Sequence, residues 1–151
     1  LASLGGFVAG DEEVIHYIKH HARSLIFSAS IPPSNAAAAL AALQIIREEP
    51  ERVKRVNQIA EQMRKGFREL GFNIGNSTTP VIPIIIGDDT RTIRTWKLLF
   101  DNGVFVNPVL SPAVSQGRQL LRTSYMATHT DAQMEKVLEV FKKVGKEVGL
   151  I

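Results

Sequence analysis

Apolar residues recur along this chain with two different periods, and the switch between them divides it. After Asp11, residues Val14, Ile15, Ile18, Ala22 and Leu25 fall three and four apart. That spacing predicts one amphipathic helix, with Asp11 as N-cap and Glu12 and Glu13 complementing the dipole of its first turn. Phe27 to Ile31 reads as a short extended link that Pro32-Pro33 ends. Two helices follow, Asn35 to Glu48 and Glu51 to Leu70, punctuated by Pro50, which a first helical turn tolerates. Gly71 is the expected C-cap.

Beyond Gly75 strand-length runs appear. Val81 to Ile86 is continuously apolar, and Pro83, which cannot donate to a ladder, predicts an edge strand or an interruption. Asp88 to Phe100 reads as a helix turning Ile93, Trp96, Leu99 and Phe100 inward, stopped at Asn102-Gly103. Val104 to Val106 is expected as a strand, Asn107 to Pro112 as an irregular loop, and Gln119 to Met126 as another strand. Thr130 with Gln133 forms the capping box of a last helix whose inner face is Val137, Leu138, Phe141 and Val144. Gly5-Gly6 leading into Phe7-Val8-Ala9 suggests one further strand near the start. The expected fold is α+β: a small, mostly antiparallel sheet covered by helices. The expected division is residues 1–48 and residues 49–151.

Composition narrows the classes. The chain has 151 residues, 44% hydrophobic and 22% charged, the balance of a globular protein with a core of its own. A formal charge of +3 is mild, and REEPERVKR interleaves both signs, as a solvated helix face does and a nucleic-acid stripe does not. With no cysteine, disulfides and thiolate metal sites are excluded. The lack of cysteine and of an apolar run of about 20 residues fits a cytoplasmic protein. The opening LASLGGFVAG reads as a piece of a longer chain. Alanines at 36–39, 41 and 42 make one helix thin, which suits close packing within the chain or against a second subunit.

In QLLRTSYMATHT, Arg122 stands inside an otherwise core-compatible strand and shares a face with Leu120, Ser124 and Met126. A guanidinium there needs either an internal carboxylate partner or a wet cleft holding an acid ligand, which it would grip bidentately. Both readings stay open on chemistry alone. Ser28 and Ser30, flanking Ala29 ahead of a helix start, suit either capping or an anion site. Asn107 and Ser111 precede the Arg122 strand and are candidates to line its cleft. His16 and His20 have metal-compatible spacing but lack the following Glu of a metalloprotease helix, and with His21 they are expected exposed. His129, beside the capping Thr130, is expected to be structural, with ligand contact as the alternative.

LASLGGFVAG, ARSLIFSASIPP, GVFVNPVLSPAV and LLRTSYMATHT occur in an order and spacing that resembles the α-oxoamine synthases, fold-type I pyridoxal-phosphate enzymes, across the whole chain. The resemblance implies the end of the large cofactor domain, a linking helix and the C-terminal small domain. It implies an enzyme condensing an amino acid with an acyl-CoA, with loss of CO2, as a homodimer. The cofactor Lys is expected just upstream of Leu1, so the chain alone is expected to be inactive. By this resemblance Arg122 binds the substrate carboxylate. Ser28, Ala29 and Ser30 reach the cofactor phosphate of the neighbouring subunit, with Ala29 standing where Thr or Asn is common. Ala113 falls where the 8-amino-7-oxononanoate synthases carry Thr, a departure from that branch. FVNPVLSPAV and MATHT are most similar to the members that join L-serine to a long-chain acyl-CoA, an activity that would bring the parent to a membrane surface peripherally. Glycine with acetyl-CoA is the alternative pair within the family. A stand-alone domain binding a small acid is the alternative outside it.

Overall fold

The computed structural model describes residues 1 and 3–151 and divides into two compact units, Leu1–Pro50 and Glu51–Ile151. The first holds three helices, α1 (Glu12–His21), α2 (Arg23–Ile26) and α3 (Pro33–Glu48). The helix expected from Val14 to Leu25 is interrupted at Ala22, whose extended backbone closes α1 by donating its N–H to Ile18 O. α3 starts two residues before Asn35, because Pro33 satisfies a first helical turn. The Ser3 hydroxyl donates to the carbonyl of Asn35 at 2.8 Å. None of these helices has a buried residue, so the apolar stripe read from Val14 to Leu25 faces no core within this unit. The strand expected at residues 5–9 is absent: no extended segment pairs with it, and Phe7 is 87% exposed. A strand without a ladder partner leaves its amides to water.

The second unit runs α4 (Pro50–Glu69), β1 (Val81–Ile85), α5 (Asp89–Asp101), β2 (Asn107–Val109), β3 (Leu120–Ser124) and α6 (Asp131–Glu147), α4 entering it from Glu51. This is the expected α+β arrangement, with a three-stranded antiparallel sheet in the order β1-β3-β2. Pro83 does sit on an edge strand, where its missing N–H interrupts no interior ladder. Burial alternates along β1 and β3, so Ile82, Ile84, Leu121 and Thr123 face inward. They meet Ile59, Met63 and Phe67 of α4, Leu99 of α5, and Met134, Phe141 and Val144 of α6. Phe67, Phe72 and Phe141 pack edge to face, with ring centroids 4.9 to 5.9 Å apart.

Two expectations fail here. On α5 the buried residues are Thr92, Thr95 and Leu99, while Ile93 and Phe100 are exposed. The Thr92 and Thr95 hydroxyls donate to the carbonyls of Asp88 and Arg91 one turn back, which lets threonine occupy the inner face without an unsatisfied group. The second concerns Val104 to Val106, which keeps a strand's alternation, with Val104 and Val106 buried and Phe105 out, but joins no ladder. Pairing begins at Asn107, inside the segment expected to be irregular.

The capping box on α6 forms as read: Thr130 Oγ1 accepts from Gln133 N, and Gln133 Oε1 accepts from Thr130 N. Among the described residues no helix is long and apolar enough to cross a membrane.

Candidate active-site face

Arg122 lies at the centre of the sheet, directly opposite Pro83 on one side and Asn107 on the other. Cross-strand partners share a face. The face away from the helices therefore carries Val81, Pro83, Ile85, Leu120, Arg122, Ser124, Asn107 and Val109, and Arg122 is its one charged member. Its side chain is exposed, and it makes no ion pair or hydrogen bond with any described residue. The internal-carboxylate alternative thus finds no partner.

The buried arginine is a different one. Arg64 on α4 is 8% exposed; it donates through both Nε and Nη2 to Glu61 Oε2, and through Nη1 to Thr79 O at 2.9 Å. That guanidinium holds the Glu61 carboxyl below its ordinary value, first by hydrogen bonding and then by charge. Sequence reading passed over Arg64, though its place one turn after buried Ala60 was the available signal.

Asn107 reaches the site because β2 forms there; read as loop, it could not have been assigned a face. Ser111 sits in the connection to β3, and its amide donates to Asp89 Oδ1 at 3.3 Å, tying that connection to the first turn of α5. Ala113 lines a shallow groove of about 400 Å³ with Arg118 and Leu120, the last of which is on the open face beside Arg122. Ser28, Ala29 and Ser30 lie in the other unit, all exposed. The Ser28 hydroxyl donates to Ser24 O, so its proton is already committed. The amides of residues 28–30 and the Ser30 hydroxyl have no partner among the described residues. Such donors fit a phosphate.

The histidines of α1 are exposed, His20 donating Nδ1–H to His16 O at 2.8 Å and His21 to Tyr17 O at 2.9 Å. His129 is half-buried; its Nδ1 accepts from Met126 N at 3.2 Å, which leaves the ring proton on Nε2. Sequence reading also missed Tyr125, which continues the inward face of β3. Its hydroxyl is buried, and burial pushes the phenol well above its ordinary value, outweighing an opposing hydrogen-bonding pull from Thr123.

A three-stranded antiparallel sheet with helices on one face, and an arginine without a side-chain partner on the other, is the architecture of a small α+β domain. The chain belongs to the aminotransferase class I and II family, whose model matches residues 1–141. The resemblance to α-oxoamine synthases is borne out by its relatives. The chain is 47% identical to a serine palmitoyltransferase of Sphingobacterium spiritivorum, covering 97% of this chain, and 44% identical to one of Bacteroides ovatus, covering all of it. It is 38% identical to an 8-amino-7-oxononanoate synthase of Treponema denticola over 98% of its length. Each match spans 38% of the relative. Among solved structures, the S. paucimobilis serine palmitoyltransferase with a bound PLP–myriocin aldimine superposes with a TM-score of 0.86 at 32% identity, over 99% of this chain and 38% of that one.

Proposed function

We propose that this chain is the C-terminal part of a pyridoxal-phosphate-dependent acyltransferase that condenses L-serine with a long-chain acyl-CoA. The observation that carries the reading is Arg122: a guanidinium with no protein partner, central on an open sheet face, in a family whose members act on amino acids. Identity of 43–47% to serine palmitoyltransferases, against 38–41% to oxononanoate synthases, supports serine over the alternative substrates. Glycine C-acetyltransferase and 8-amino-7-oxononanoate synthase are the alternatives within the family. Family membership leaves the stand-alone acid-binding domain without support.

Arg122 binds the serine carboxylate through two parallel charge-assisted hydrogen bonds and so fixes the orientation of the α-carbon. Asn107, opposite it, borders the same carboxylate position. Before the carboxylate departs as CO2, Arg122 must let it turn. The cofactor supplies the electron sink for the carbanion at that carbon. Ser30 and the amides of Ser28, Ala29 and Ser30 are the donors this chain offers to the cofactor phosphate of a neighbouring subunit in a homodimer. In this reading the Lys that holds the cofactor belongs to a part of the enzyme outside these 151 residues, so pyridoxal phosphate should form no site-specific aldimine at a single lysine of this chain. The parent is assigned to the cytoplasm, meeting its acyl substrate at the membrane surface.

The test is steady-state kinetics on the parent enzyme. Arg122→Ala removes a charged clamp worth about 2–5 kcal/mol and should raise the serine KM by at least roughly 30-fold, with Arg122→Lys recovering part of it. An unchanged KM refutes the assignment of Arg122. The parent assayed with serine or glycine against palmitoyl-CoA or acetyl-CoA decides the substrate pair; turnover confined to glycine with acetyl-CoA overturns the serine reading.

A further inference from the structure

The unpaired segment at residues 104–106 has a consequence on the inner side of the sheet. Continuing the β2–β3 register would set Val106 against Thr123 and Val104 against Tyr125, but the ladder stops at Asn107. Between those two segments and the first turns of α6 lies a cleft of about 510 Å³, within the range of small-molecule sites. Its walls are largely apolar, with Val104, Val106, Met134 and Val137 among them.

Several side chains of the cleft offer donors. Lys136 Nζ lies over Gly103, 3.8 Å from where a Cβ would stand, and has no partner among the described residues. His129, held with its proton on Nε2, stands edge-on to the Tyr125 ring at 6.3 Å. Gln133 has its carbonyl committed to Thr130 N, leaving its amide hydrogens. No Asp or Glu lines the cleft. An apolar chamber with one ammonium, an imidazole N–H and a side-chain amide suits an acceptor-rich anionic head on an apolar body.

We propose that this cleft, separate from the Arg122 face, is a binding site for a small amphipathic carboxylate, its apolar body between Val104, Val106 and Val137 and its carboxylate on Lys136. The site is built wholly from the second unit and is independent of the reaction assigned above.

The test uses the 151-residue chain and decanoate, with decanol as the uncharged comparator, followed by ¹⁵N NMR and calorimetry. Decanoate should bind at least tenfold more tightly than decanol and shift the amides of residues 103–106, 123–126 and 133–137. Lys136→Gln, an exposed and fold-neutral change, should erase that preference and leave decanol binding unaltered. Three results each overturn the proposal: equal affinity for the two probes, a preference that survives in Lys136→Gln, or shifts confined to the exposed apolar residues of the first unit.

Discussion

Gly145 lies in the last turn of α6, where exchanging glycine for alanine ordinarily stabilises a helix by about 1 kcal/mol. Here the sign should reverse. A Cβ on Gly145 would stand 2.6 Å from Phe72 Cζ, 3.0 Å from its Cε1 and 3.1 Å from Ile151 Cγ1. Carbon atoms in contact prefer about 3.5–4.0 Å, so the Phe72 ring must retreat by about 1 Å. It has little room: Phe67 and Phe141 both pack against it edge to face, at 5.9 and 5.7 Å. Overpacking of this kind costs about 1–3 kcal/mol, against the helix gain of about 1 kcal/mol. Gly145→Ala should therefore lose about 1 kcal/mol, which lowers Tm by roughly 2–4 °C in a chain of this size. Urea denaturation followed by circular dichroism measures it. Gly66→Ala is the internal control. Its Cβ would also meet a side chain at 2.6 Å, but that atom is Leu138 Cδ1, half-buried beside an open groove of about 230 Å³. Leu138 can swing away, so helix propensity should win and the variant should gain up to about 1 kcal/mol. A Gly145→Ala protein as stable as the native one, or two variants that shift together, would refute the argument that the aromatic trio is rigid.

Two further outcomes test polar groups. Glu61 has its pKa lowered from 4.5 by Arg64, so the pair's contribution is complete above the unfolded value and fades as pH falls through the lower folded value. Below about pH 4.5 the native chain should therefore lose stability faster than Glu61→Gln, seen as converging thermal melts across an acid series; parallel curves would count against the pairing. Gln119 is 1% exposed with its Oε1 unsatisfied, so Gln119→Met, close in volume, should raise stability by about 1 kcal/mol in the same urea assay, and a loss would mean that oxygen has a partner.

Several features were legible because they depend on local chemistry. The capping box at Thr130 and Gln133 needs only two residues at the right spacing. Pro83 narrowed its segment to an edge strand or an interruption, because a residue with no N–H cannot serve a central ladder. Four motifs in register carried the family and, through it, the role offered for Arg122. Composition and chemistry alone had left that arginine undecided between an ion pair and a ligand clamp. What separates the two is whether a carboxylate comes within reach, and reach is a matter of folding: the buried, ion-paired guanidinium proved to be Arg64.

By itself, then, the sequence determined the order of helices and strands in the second unit and the α+β class. These follow from periodicity and local hydrogen bonding. Only the tertiary structure decided which extended segments became strands. Residues 5–9 and 104–106 have strand patterns, yet a ladder needs a partner at the right register, and that partner is distant in sequence. The same nonlocal pairing placed Asn107 across from Arg122 and left the cleft beside Tyr125 unclosed. It also set Ile93 and Phe100 outward, because the inner face of α5 was chosen by what the sheet had room to receive.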